Sequence, residues 1–139
     1  MSGSFFVDTN ILVYAHDRGS GRKHRAAKEL VTRLWHERSG VLSTQVLQEF
    51  YVNIRRKAEH PVGVTVARGL IGDYLSWNVV VNDGAAVLQA VDFEKRYKIS
   101  FWDALIIQAA NVANVSVLYT EDLNHGQTYG MVETCNPFV

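Results

Sequence analysis

Apolar side chains come in short runs separated by longer amphipathic stretches. Residues 4–7 read as a short buried strand ending at Asp8, and residues 9–16 (TNILVYAH) as the helix that follows it. Past a Gly-Ser-Gly turn at 19–21, residues 22–37 set Ala26, Ala27, Leu30, Val31 and Leu34 along one side of a second helix, and residues 40–43 read as another strand. Residues 44–57 carry Val46, Leu47, Phe50, Tyr51 and Ile54 at the i, i+1, i+4, i+5, i+8 spacing of an amphipathic helix, the plainest periodicity in the chain. The pattern then predicts a helix over 61–77 despite Gly69 and Gly72, a strand over 78–81, and helices over 83–97 and from about 100 to 114. A strand over 115–119, a polar loop over 120–127 (TEDLNHGQ) and a last strand over 130–133 complete the chain.

Short apolar strands alternating with helices predict an α/β fold: a three-layer α/β/α sandwich on a parallel sheet of about five strands. In such a sheet, a helix that follows a strand starts at the strand's carboxyl edge. A helix leading straight into the next strand starts there too, so ligands gather at that edge. No repeat, linker or low-complexity tract divides the chain, and 139 residues, 47% of them apolar, suit one domain over residues 1–139.

Composition excludes several functions. No 18-residue apolar run is present, and MSGSFFVDTN lacks the basic start and long apolar core of a secretory leader, so no membrane role and a cytoplasmic location are expected. The one cysteine, Cys135, has no partner for a disulfide and no Cys or His at zinc spacing, and is expected to be a buried small residue. Fourteen basic and fourteen acidic side chains cancel, yet residues 1–60 hold ten Lys/Arg against six Asp/Glu, and residues 61–139 hold four against eight. Arg18, Arg22, Lys23, Arg25, Lys28, Arg33 and Arg38, then Arg55, Arg56 and Lys57, form either a solvated helix face or a track for a polyanion backbone.

Carboxylates far apart in sequence are due at the carboxyl edge. Asp8 ends the first strand, Glu49 lies in the second turn of the helix after the second strand beside Gln45 and Asn53, Asp103 begins the helix leading into the fourth strand, and Glu121 and Asp122 directly follow that strand. Each has a structural alternative. Asp8 suits a helix N-cap, Ser100 with Asp103 matches a capping box, Glu49 suits an exposed helical position, and Asp122 suits an Asx turn. Together they strain those alternatives, because like charges roughly 5 Å apart at an effective dielectric of about 20 repel by on the order of 3 kcal/mol per pair. Either some are protonated or cations sit among them. Oxygen ligands without His or Cys favour Mg²⁺ or Mn²⁺, one or two ions, and the usual chemistry of such a site is phosphoryl transfer or phosphodiester cleavage.

FVDTN at 6–10, the Glu within QVLQEFYV at 45–52, SFWDALI at 100–106, YTEDLNHGQ at 119–127 and NPF at 136–138 resemble PIN-domain ribonucleases, specifically VapC-type toxins of bacterial and archaeal toxin–antitoxin pairs. The resemblance covers essentially the whole chain. It implies an α/β/α nuclease fold, Mg²⁺- or Mn²⁺-dependent endonucleolytic cleavage of RNA such as tRNA or another structured RNA, homodimerisation, and inhibition by a small antitoxin. Asp8, Glu49 and Asp103 match the first three acidic positions. The T-x-D pattern selects Asp122 as the fourth, with Glu121 an accessory neighbour and Thr120 the hydroxyl residue. Thr9 and Asn10 match small polar residues beside the first Asp, where they would hold a carboxylate or a water. His125 is either a substrate contact or a solvated loop residue, and Trp102 either stacks on a base or packs in the core, the commoner fate of Trp. Arg22, Lys23 and Arg25 are candidates for backbone contacts. A phosphatase would want a second acid at Asn10, and a receiver domain with Asp83 as its acceptor would want a Lys after Lys98, where no basic residue follows. The remaining rival is a catalytically degenerate PIN-like module that binds nucleic acid without cutting it.

Overall fold

The computed structural model describes residues 3–139; Met1 and Ser2, part of the stretch expected to hold no leader, lie outside the described residues. Strand β1 (Phe5–Val7) is followed by α1 (Thr9–His16), a 3-10 turn at Arg18–Ser20 and α2 (Arg22–Glu37). Strand β2 (Gly40–Ser43) is followed by α3 (Thr44–Arg56) and α4 (Val64–Tyr74), and β3 (Asn78–Val80) by α5 (Gly84–Tyr97) and α6 (Phe101–Val112). Then come β4 (Val117–Tyr119) and a terminal hairpin of β5 (Thr128–Tyr129) and β6 (Val132–Cys135).

The helix starts were written in the sequence. Asp8, Ser43, Asp83 and Ser100 each cap the helix that follows, their side-chain oxygens accepting from backbone N–H groups of its first turn. The strands assemble in the order β3-β2-β1-β4-β6-β5, parallel throughout except for the antiparallel β5–β6 pair. The chain walks outward from β1 to β3, then crosses back to β4 on the other side of β1. With right-handed crossovers, that reversal puts α1 to α4 on one face and α5 and α6 on the other, the expected three layers. Phe6, Val7, Leu42 and Leu118 of the strands are fully buried between Leu12, Leu34 and Phe50 on one side and Ala104, Ile107 and Ala110 on the other.

Three expectations need correction. The sheet has six strands, because the predicted strand over 130–133 straddles a turn: Gly130, at φ 63°, and Met131 link β5 to β6. Helix α4 is shorter than 61–77. The Val62 N–H donates to the Ile54 carbonyl (3.1 Å), which ties that segment to the end of α3, while Trp77 leaves the helix and packs over Gly40, where a Cβ would sit 2.2 Å from its ring. Strand β4 begins at Val117 because Asn114 takes a left-handed conformation (φ 57°) that ends the preceding helix. Cys135 is half-buried. Among the described residues, no helix is long and apolar enough to cross a membrane.

Candidate active site

The strand order reverses between β1 and β4, and in open α/β sheets the crevice at the carboxyl ends of such a pair is where ligands bind. Here Asp8 leaves β1 and Thr120 leaves β4 side by side: the Thr120 hydroxyl donates to Asp8 Oδ2 (2.7 Å) and accepts from the Asp122 N–H (3.1 Å). A cleft of about 200 Å³ opens there, walled by Asp8, Thr9, Asn10, Gln45, Glu49, Asn53, Trp102, Asp103, Ile106 and Asp122. Three larger cavities, about 710, 410 and 380 Å³, hold one carboxylate between them, that of Glu29, so size does not locate the chemistry.

Hydrogen bonds tie the cleft's carboxylates to neighbours from other elements. Asp8 Oδ1 accepts from the Thr9 N–H (2.7 Å) and the Thr9 hydroxyl donates to Glu49 Oε1 (2.6 Å), joining α1 to α3. The Asn10 amide donates to Asp122 Oδ2 (2.9 Å), and the Gln45 amide to Glu49 Oε2 (3.2 Å) and to the Trp102 carbonyl oxygen (3.1 Å). Ser100 caps α6 by accepting from the Asp103 N–H (3.0 Å). Burial pushes the Asp8 carboxyl up to about 7, against the bonds from Thr120 and Thr9, and the charges of Asp122 and Asp103 add to the rise. Asp103 is also raised, by burial first, with Asp122 and Glu49 contributing and the Ser100 hydroxyl opposing. Asp8 thus feels the charges of Asp103 and Asp122, and Asp103 those of Asp122 and Glu49.

Other predicted residues are placed differently. Glu121 turns away from the cleft, accepting from the Tyr14 hydroxyl (2.5 Å) and pairing with Lys23 (2.7 Å), so Lys23 is engaged within the protein. Arg22 and Arg25 are exposed on α2. His125 accepts the Asn136 N–H at Nδ1 (2.9 Å), which pins the carboxyl-terminal segment to the loop. Trp102 does not pack in the core; its side chain is 62% exposed on the rim. Gln45 is the residue that sequence reasoning passed over. It is four positions before Glu49 and so on the same helix face, the one signal that pointed to it.

Among the described residues, no three acidic, imidazole or thiol side chains are grouped tightly enough to grip an ion unaided. Mg²⁺ does not require such a cage, since it binds through one or two carboxylates and keeps several waters. The donor chemistry fits: carboxylate oxygens on Asp8 and Asp103, both raised in pKa first by burial, and buried carbonyl oxygens on Asn10 and Gln45 that have no hydrogen-bond donor among the described residues.

The sequence matches the PIN-domain family model over residues 5–130. No curated protein matches it at a significant level. Among solved structures it is similar to a toxin–antitoxin complex from Klebsiella pneumoniae (TM-score 0.67, 21% identity, covering 96% of this chain and 98% of that one). It is similar also to Mycobacterium tuberculosis VapC20, described as a sarcin–ricin-loop-cleaving toxin (TM-score 0.66, 23% identity, covering 86% and 90%). A third is VapBC2 from Rickettsia felis, bound to a fragment of its promoter DNA (TM-score 0.64, 16% identity, covering 94% and 96%). With the family model spanning most of the chain and the acidic cleft lying at the reversal of its sheet, the chain belongs to the PIN-domain family.

Proposed function

We propose that this protein is a metal-dependent endoribonuclease, the toxin of a type II toxin–antitoxin pair. The observation that carries the reading is the cleft where Asp8, Glu49, Asp103 and Asp122, from four separate segments, line one wall system at the switch point of the sheet. Asp8, Glu49, Asp103 and Asp122 are the residues that would hold Mg²⁺ or Mn²⁺, one ion or two. Such a cation, when bound, activates the attacking water and offsets charge on the scissile phosphate and leaving oxygen. The chain's own part is to hold its carboxylates in place before substrate arrives: Thr120 and the Thr9 N–H orient Asp8, Thr9 and Gln45 orient Glu49, and Asn10 orients Asp122. Water oxygen bonds to phosphorus as the bond to the ribose oxygen breaks. Exposed Arg22 and Arg25 on α2 contribute positive charge for the RNA backbone.

A small antitoxin belongs to the same reading, supported by the toxin–antitoxin complexes among the structural neighbours, and a homodimeric state and a structured RNA substrate such as tRNA complete the proposal. Incubating purified protein with mixed RNA and Mg²⁺ tests it. Wild type should cut, chelation should stop cutting, and Asp8→Asn and Asp103→Asn should each lose at least about 100-fold in rate, or about 2.7 kcal/mol of barrier. Equal cutting by all three proteins would sink the assignment, and RNA binding without cutting would favour the degenerate binding module.

A further inference from the structure

Three neutral side chains in the cleft wall are spent on its carboxylates: Thr9 donates to Glu49, Asn10 to Asp122 and Gln45 to Glu49. Asn53 is in the same wall, half-buried, and its side chain makes no hydrogen bond among the described residues. Its carboxamide is not among the polar atoms sealed from solvent, so it is open to whatever enters the cleft. Nor does the side chain hold the helix end, since it is the backbone carbonyl of Asn53 that accepts from the Lys57 and Ala58 N–H groups (2.8 and 3.0 Å). With no partner to fix it, the amide can turn its NH₂ group toward an incoming acceptor. A neutral donor suits this place. Unlike Lys or Arg it does not pair with the neighbouring carboxylates, and it offers N–H groups to phosphate oxygens, which only accept.

Helix α3 continues the line. At about 100° per residue, Asn53, four positions after Glu49, is about 40° round and about 6 Å further along, while Arg56, seven after Glu49, returns to within about 20° at about 10 Å. Cα–Cβ bonds tilt toward a helix's amino terminus, so both side chains start out leaning back toward the cleft. Arg56 is exposed and has no acidic partner among the described residues, in which Lys23 and Glu121 make the one ion pair. Its neighbour Arg55 is committed instead: its guanidinium is 5.3 Å from the centre of the Tyr51 ring and donates to the Tyr51 hydroxyl (3.2 Å). Acid, neutral donor and unpaired cation thus follow one another outward along one face. Successive phosphates of a strand need that order if only one of them is to reach the carboxylates. Resting on the nuclease reading above, we infer that Asn53 and Arg56 form the track along which RNA leaves the cleft, Asn53 donating to a non-bridging oxygen of the phosphate next to the scissile one and Arg56 pairing with the backbone beyond it.

Fluorescence anisotropy with a labelled single-stranded RNA of mixed sequence, in Mg²⁺ and with Asp8→Asn as the parent to suppress cutting, tests the track. Asn53→Ala should weaken binding about tenfold, the worth of a hydrogen bond to a charged group. It should leave the slope of log affinity against log salt unchanged, because a neutral donor displaces no counterion. Arg56→Gln should weaken binding and flatten that slope by about 0.7, the loss of one phosphate contact on a single strand. Arg38→Asn, between α2 and the amino end of β2, should leave the slope as it is. Binding by Asn53→Ala within about twofold of the parent, an unchanged slope in Arg56→Gln, or equal flattening in Arg38→Asn overturns the inference. Should Asn53→Ala fail to fold, Asn53→Asp, which keeps the shape and replaces the donor with a charge, decides by the same comparison. Kinetics separate a contact from support of Glu49. In the otherwise wild-type protein, Asn53→Ala should raise KM about tenfold with kcat kept within about threefold, and a loss confined to kcat refutes the contact. RNA cut with wild-type kcat and KM by both Asn53→Ala and Arg56→Gln defeats the track alone. A protein that binds RNA through Asn53 and Arg56 yet cuts nothing defeats the nuclease reading alone.

Discussion

Asp8 shows how one side chain meets opposed demands. As the N-cap of α1 it accepts the Thr9 N–H, and in the acidic cleft its carboxyl is pushed from 3.8 up to about 7 by burial. A folded-state pKa above the unfolded value means that the native protein retains a proton the unfolded chain has lost. Stability attributable to Asp8 is therefore complete below about pH 4 and is lost as pH rises through about 7, by at most about 4 kcal/mol. In EDTA, Asp8→Asn should melt at a higher Tm than wild type at pH 8 and lose that advantage by pH 4, since Asn keeps an oxygen for the Thr9 N–H and can turn its NH₂ to donate to the Thr120 hydroxyl. The difference between the two proteins is the readout, because His16, its pKa lowered mainly by burial, titrates in the opposite sense in both. A lower Tm for the variant at pH 8 would mean that Asp8 is held ionised by the protein itself. Both readings of Asp103 have substance: Ser100 does cap α6 and Asp103 does face the cleft. The place of Gln45 beside Glu49 was legible from helix spacing, but its part in the cleft was not, because a neutral amide gives no charge signal and its orientation depends on a carbonyl 57 positions away.

At the scale of elements, the loop after β4 separates two adjacent acids. Asp122 faces the cleft and Asn10, while Glu121 faces Tyr14 and Lys23 on the α1–α2 side. Glu121→Gln is expected to keep cleavage within about threefold and cost about 1 kcal/mol or less, as suits a partly exposed ion pair. Asp122→Asn is expected to lose cleavage by 10-fold or more with little change in Tm. Side-by-side rates on one RNA check this, and equal losses would make Glu121 a working member of the site. Helices α1, α2, α3, α5 and α6 were readable to within a residue or two because Asp8, Gly21, Ser43, Asp83 and Ser100 mark their starts. Helix α4 and the terminal hairpin were not. The first is trimmed by a bond from Val62 back to Ile54 at the end of the preceding helix, and the second depends on Gly130 lying so close to Asn111 that a Cβ would be 2.5 Å from its Oδ1.

For the whole molecule, the order of strands does what no single motif does: it brings residues separated by more than 100 positions into one cleft. It also leaves α5 as an outer helix with Val87, Leu88 and Val91 exposed, at the i, i+1, i+4 spacing of one face. An outward face would ordinarily be polar, and an apolar stripe there needs a cover. In the proposed homodimer a second copy would supply that cover, related by a two-fold axis so that each α5 would meet its counterpart. Light scattering should then give twice the 15.6 kDa chain mass for wild type. Leu88→Lys with Val91→Lys, which set two like charges against their own copies across the axis, should shift it toward one chain mass. The α5 stripe is on the layer opposite α1 to α4, yet α5 packs on α6, whose first turn carries Trp102 and Asp103. Loss of the dimer should consequently lower cleavage without abolishing it, because each cleft is built from one chain alone. A wild type of single-chain mass would remove the dimer, and a double-Lys variant that keeps twice the mass would move the interface off α5.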